Sequence, residues 1–387
     1  MDMPPMKRAL IIGDGAAGTI IANKLRLLTD REELEVVVIG NSRMHYFKPD
    51  GIQIPLSLKP YKKSVKNPVF LFNAGIQYIR DEVIRIDINQ RFVSVKSGKS
   101  YDYDYLIIAT GNRFTPEDVP GYEGEAKHFY DLQPALGLKE DLTRFNGGDI
   151  VVGQASVPIQ CPPAPYEFTF LLDQYLRNRG IRDKTHIHYI YPLNRVFTMP
   201  TVARFIDDLF EEKGIMTHTL FNVDNIDTKN KRVNSIEGES VNYDMLILVP
   251  PHRGQKVITE SGLADELGYI DVDRHKLTYE NNDDVFAIGD ATNLPVSKAG
   301  AAAHFQSGYL AHHIASDIGG AAYEEEYNGE CACTTVTGKD NAITLFFSYD
   351  KPPRANFNSK SDFLLKWTSA DTYCSVCRLQ CAIYKFL

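Results

Sequence analysis

Strand-length apolar runs alternate with helix-length amphipathic stretches along most of this chain. Arg8-Ala9-Leu10-Ile11-Ile12 is followed by a helical pattern over Thr19 to Leu28 and a second apolar run, Glu35 to Ile39. In the middle, Asp149 to Gly153, His186 to Tyr191 and Met245 to Val249 repeat the strand signal, with helical patterns over Tyr166 to Arg179 and Thr201 to Lys213. Continuous Val/Ile/Leu runs separated by one-sided helices predict parallel strands buried on both faces, hence an α/β protein.

Composition narrows the class. A chain of 387 residues, 43% hydrophobic and 24% charged, has room for two or three globular domains. The net charge of −8 gives no basic field for nucleic acid. Six cysteines are too few for a disulfide scaffold, and no apolar run reaches transmembrane length. Lys7 and Arg8 lead straight into the first strand, so no cleaved signal peptide is expected.

The turn after the first strand reads Gly13-Asp14-Gly15-Ala16-Ala17-Gly18. Between a strand and a helix, with a second strand about 20 residues on, this spacing fits a dinucleotide fingerprint. Gly13 permits the turn, and Gly15 with Ala16 and Ala17 lets backbone approach a pyrophosphate. Gly18 allows close helix–strand packing. The usual acid at the end of the second strand is missing, leaving Asn41 and Ser42 to meet a ribose hydroxyl. Two later segments, Tyr103 to Ala109-Thr110-Gly111 and Asp284 to Gly289-Asp290-Ala291, end strands in small-residue turns. Together the three segments resemble flavin-binding, disulfide-reductase-type folds. That resemblance implies two Rossmann-like domains and FAD, with Asp290 near its ribityl or phosphate region.

The second α/β unit lacks a glycine fingerprint. Its first strand runs into Gly153-Gln154-Ala155-Ser156-Val157-Pro158-Ile159-Gln160-Cys161-Pro162-Pro163. Prolines offer no N–H to a phosphate, so a nicotinamide site is not expected here. Cys161 precedes a helix, and a helix N-terminus is expected to lower a thiol pKa.

The segment Cys161-Pro162-Pro163-Ala164-Pro165-Tyr166-Glu167 resembles the sulfide:quinone oxidoreductases and the flavoprotein subunit of flavocytochrome c sulfide dehydrogenase. Leu248 to Gly254, Asp284 to Ala291 and Lys298-Ala299-Gly300 carry the same resemblance. It implies a Cys161–Cys333 redox pair beside the flavin, with Cys331 as an alternative to Cys333. Sulfide is oxidised to polysulfide or sulfur, and a membrane quinone accepts the electrons. Glu167 is either an acid/base or a first-turn carboxylate favoured by the helix dipole. Lys298, next to Gly300, is expected at the flavin pyrimidine end. Because Gly111 to Gly148 holds no cysteine, FAD is expected to be non-covalent. His128 and His186 are read as ordinary surface or strand residues.

The implied organisation places an FAD domain over residues 1–115 and 266–320, a second Rossmann-like domain over 116–265, and a C-terminal region over 321–387. In the tail, Lys351, Arg354, Lys360, Lys366, Arg378 and Lys385 face only Asp362 and Asp371. Aromatic residues among these cations suit an anionic membrane surface, so amphipathic helices and peripheral, monotopic attachment to the cell membrane are expected. Phe346, Phe347 and Trp367 are candidates to line a quinone site. Cys374, Cys377 and Cys381 share one helix face as an apolar stripe, and no metal is expected. A homo-oligomer is left open. The rivals are a flavocytochrome c-type dehydrogenase docked to a haem subunit, a type II NADH dehydrogenase, and a non-enzymatic flavin-stabilised protein.

Overall fold

The computed structural model describes residues 5–280, 282–364, 366–367 and 377–378. Every long apolar run becomes a strand within a residue or two of its expected bounds. Lys7–Ile12 lies at the centre of a six-stranded sheet, between Leu34–Gly40 and Tyr105–Ile108. Ile76–Arg80 and Asn282–Ala287 extend this sheet in parallel, and Thr278–Tyr279 adds an antiparallel edge. A chain segment more than 170 residues downstream of Tyr105–Ile108 thus completes the first sheet. The helices Ala16–Leu28 and Gly300–Ile318 pack together over it.

The second sheet is entirely parallel, in the order Ala126–Lys127, Met245–Val249, Gly148–Gln154, Thr185–Tyr191, Ile215–Thr219. Ala164–Asn178 and Pro200–Glu212 supply its crossover helices. The loops after these parallel strands carry the Gly13, Ala109 and Cys161 turns, the positions at which α/β sheets build ligand sites.

The C-terminal region opens with a three-stranded antiparallel sheet, Cys331–Gly338, Asn341–Phe347 and Arg354–Asn356, and residues 360–364 beyond it are helical. The β-branched and threonine-rich sequence of the first strand favours extended backbone. Its buried face packs on the Ala164–Asn178 helix and joins the apolar core of the second unit.

Candidate functional site

The glycine turn has the geometry that a dinucleotide requires. Gly13 has φ +113°, and a Cβ there would lie 2.3 Å from the Ala109 carbonyl oxygen. A Cβ on Gly18 would lie 1.9 Å from the Gly13 oxygen, so this glycine lets the helix seat against the turn. Gly15 differs: nothing lies within 4 Å of its would-be Cβ, leaving open space before the N-terminus of Ala16–Leu28. The two later turns converge here. Ala109 touches Gly13, and a Cβ on Gly289 would lie 3.0 Å from that of Ala17. The Gly289 N–H donates to Gln306 Oε1 at 2.6 Å. Thr110 Oγ1 is buried with no partner among the described residues. An open glycine cradle, a helix N-terminus and an orphaned buried hydroxyl fit a bound dinucleotide such as FAD.

The missing acid is found inside the turn. Asp14 is buried and accepts from Ser42 Oγ at 2.8 Å, Ser42 N at 3.2 Å and Tyr78 OH at 2.7 Å. Ser42 is therefore committed to Asp14, while Asn41 is exposed. The position of Asp14 beside Gly40 at the end of the second strand was visible only in three dimensions.

The cysteine loop is pinned from the other unit. Gln160 pairs with Lys298 as an isolated bridge, and Cys161 N donates to Lys298 O at 2.7 Å. Gln160 Nε2 also donates to Asp290 Oδ2. Cys161 has φ +46°, and its carbonyl accepts from Tyr130 OH at 3.1 Å and Ala164 N at 2.9 Å. Cys331 and Cys333 lie two apart on the buried face of Cys331–Gly338, in the same core cluster as Cys161. All three are free thiols.

The expected lowering of the Cys161 pKa is overturned. Burial raises it, and the neighbouring Cys333 raises it further. The helix does not start until Ala164, its N-cap is Pro163, and Pro165 occupies the first turn. Three prolines thus remove N–H donors that would otherwise favour a thiolate. Cys333 is raised as well, first by its hydrogen bond with Cys331 and then by burial.

Glu167 is almost fully buried and engaged on both oxygens. It accepts from Val336 N at 2.9 Å and forms an ion pair with Lys366 Nζ at 2.8 Å. Lys366 Nζ also donates to the Thr334 carbonyl at 2.6 Å, next to Cys333. The carboxylate thereby ties the Cys161 helix, the Cys333 strand and the tail together. Sequence reasoning counted Lys366 only as tail charge.

Lys298 is buried, with its ammonium 3.8 Å from the Tyr269 ring centroid and donating to the Thr292 and Asp290 carbonyls. Burial pulls its pKa down to about 8, partly opposed by Asp290. It borders a cavity of about 310 Å³ that Val157, Pro158, Ile159 and Pro162 also line. The prolines sit where a second phosphate-binding turn would be required. Gly300 opens the following helix.

The quinone candidates are less coherent. Phe346 and Phe347 are consecutive in one strand and point to opposite faces, so they do not line one cavity together. Trp367 packs against Phe363 in a tilted pair with ring centroids 6.0 Å apart, and its indole N–H is buried and unpartnered among the described residues. His128 is not a plain surface residue: it packs against Phe114, and burial lowers its pKa to about 4. His186 is an exposed strand residue bonded to Asp149 at 2.9 Å. Cys374 and Cys381 lie outside the described residues; Cys377 is buried.

Residues 7–317 match the model of the pyridine nucleotide-disulphide oxidoreductase family. The chain is 28% identical over 359 residues to the mitochondrial sulfide:quinone oxidoreductase of Mus musculus, covering 90% of this chain and 79% of that protein. It is 26% identical over 395 residues to the sulfide-quinone reductase of Aquifex aeolicus, covering 92% and 86%. The fold is similar to the solved sulfide:quinone oxidoreductase structure from Aquifex aeolicus, with a TM-score of 0.84 and 23% identity over 96% of this chain and 91% of that one.

Proposed function

Because the chain belongs to the pyridine nucleotide-disulphide oxidoreductase family, we propose that it is an FAD-dependent sulfide:quinone oxidoreductase. Similarity to relatives that bear this name, over nine-tenths of the chain, supports the assignment. The observation that carries it is the meeting of Cys161 with Cys333 in one buried cluster, against the Lys298–Asp290 turn. Sulfide adds to a disulfide joining Cys161 and Cys333; the S–S bond breaks, leaving a persulfide on one sulfur and a thiolate on the other. FAD, when bound, supplies the two-electron acceptor between the thiols and quinone.

The chain's own residues set the conditions. Gly13, Gly15, Ala16, Ala17, Thr110, Gly111 and Gly289 would hold the dinucleotide without covalent attachment. Asp290 and Lys298 would face its flavin end. The apolar cluster packed around the cysteines holds Cys331 and Cys333 buried beside the partly buried Cys161. Glu167 would position Cys161 against Cys333 through its bonds to Val336 and Lys366. No helix among the described residues is long and apolar enough to cross a membrane. Peripheral attachment to the cell membrane would give access to a lipid quinone, and Trp367 is the aromatic candidate within the basic tail.

Anaerobic mixing with sulfide, followed by flavin absorbance, tests this function. The wild-type flavin should bleach. Cys161→Ser and Cys333→Ser should each abolish most of that bleaching and retain FAD, since serine cannot form a sulfur–sulfur bond. Full sulfide activity in Cys161→Ser would overturn the mechanism. Activity in Cys333→Ser together with its loss in Cys331→Ser would move the pair to the neighbouring thiol.

A further inference from the structure

Residues 51–80 contain Lys59, Lys62, Lys63, Lys66 and Arg80 and no Asp or Glu, in a chain whose net charge is −8. Within this stretch several large apolar side chains face solvent: Phe70 is 73% exposed, Val69 55%, Leu58 48% and Tyr61 39%. Lys62, Lys63 and Lys66 are exposed beside them. Lys59 is the exception, buried in an ion pair with Asp50 at 3.0 Å.

The segment is built to hold these side chains outward. Pro68 and Leu71 anchor the Pro68–Leu71 turn by burial, and Val69 N and Phe70 N donate to Asn67 Oδ1 and Asn67 O at 3.1 Å. Asn23, on the helix after the glycine turn, donates to Leu71 O at 2.7 Å and accepts from Asn73 N at 2.8 Å. The two exposed apolar residues therefore ride on a turn braced against the core. Such an arrangement costs little ordering entropy when it is covered.

We propose that the exposed face of residues 57–70 is the surface by which this protein docks on an anionic lipid bilayer. An apolar tip ringed by lysines enters the headgroup region while the cations meet lipid phosphates. Charge favours this face, because outside it and the basic tail the chain carries the acidic excess. The location serves the proposed activity, on which this inference rests. Ile52 and Leu56, at the root of the segment, pack in the same core cluster as Cys161, Cys331 and Cys333. The described end of the tail arrives here too, since Asn73 Nδ2 donates to Arg378 O at 3.1 Å. Docking at this face therefore brings the described end of the tail to the same lipid surface.

The test is sedimentation of the full-length flavoprotein with quinone-free vesicles of phosphatidylcholine, with or without phosphatidylglycerol. Wild type should bind the anionic vesicles and be released by salt. Phe70→Asp should weaken binding tenfold or more. Lys62→Glu with Lys63→Glu should weaken it about 25-fold or more, at roughly fivefold for each lysine removed. All of these side chains are exposed, so flavin content should be unchanged. Unchanged vesicle binding in both variants would overturn the proposal. So would binding lost on removal of residues 368–387 but indifferent to Phe70→Asp, which would make the tail the sole anchor. A Phe70→Asp variant that loses a dimer and keeps vesicle binding would assign the face to a second copy of the chain. Sulfide-driven bleaching measured without vesicles tests the enzymatic function separately: its absence with docking intact would remove that function and leave the surface standing.

Discussion

Two glycines of the first turn should separate experimentally: Gly15, which serves the cofactor, and Gly18, which serves the fold. Gly15 has φ −74° and ψ −167°, a conformation alanine adopts freely, and its would-be Cβ meets no protein atom within 4 Å. In the apoprotein, Gly15→Ala should therefore be neutral or stabilising, by about 0.4–1 kcal/mol, through reduced freedom of the unfolded chain. The new methyl would occupy the space where a pyrophosphate meets the helix N-terminus. An overpacking cost of about 1–3 kcal/mol corresponds to roughly 5- to 150-fold weaker FAD binding. Gly18→Ala should do the reverse. Its methyl would lie 1.9 Å from a backbone carbonyl oxygen, so the whole helix must withdraw. The loss should reach about 3 kcal/mol or more before any cofactor is added. Urea unfolding of the deflavinated proteins gives the stability term, and fluorescence titration with FAD gives the affinity. A Gly15→Ala protein that binds FAD as tightly as wild type would refute the cradle. A Gly18→Ala apoprotein of wild-type stability would refute the packing argument.

Other outcomes follow from the same geometry. NADH and NADPH should not reduce the flavin at a useful rate, because prolines replace the second phosphate-binding turn; rapid bleaching by NADH in a stopped-flow experiment would restore the dehydrogenase alternative. The Glu167–Lys366 pair should tune the thiols in opposite directions, since Lys366 lowers the pKa of both Cys161 and Cys333 whereas Glu167 raises that of Cys161. Lys366→Met should move the pH dependence of cysteine alkylation up and Glu167→Gln should move it down; a shift in the same direction for both would show a purely structural tie. His252 is buried neutral, with its pKa pulled down to about 3 by desolvation. The unfolded chain therefore binds the extra proton as pH falls through 6.5. The contribution of His252 to stability, full above that pH, should fall by about 2 kcal/mol at pH 5, and His252→Gln should lose less stability than wild type by that amount between pH 7 and 5 in urea titrations.

Local pattern determined much of this protein. The parallel strands were legible because a strand buried on both faces must be apolar along its length, as Leu10-Ile11-Ile12 and Met245 to Val249 are. The glycine turn was legible because positive φ and close backbone approach exclude other residues, as at Gly13 and Gly18. The cysteine motif and its prolines could be read directly, and so could the absence of a second fingerprint. Relations between distant segments could not. Asp14 acquires its partners only when Ser42 and Tyr78 arrive from other strands. Lys366 changes from a tail charge into a buried partner of Glu167 only when the chain folds back across 199 positions. The Cys161 thiol was misjudged for the same reason: its pKa depends on what buries it, and the helix start alone did not reveal that. Backbone conformation is governed by neighbours in sequence. Desolvation and ion pairing are governed by neighbours in space, and these only the tertiary structure decided.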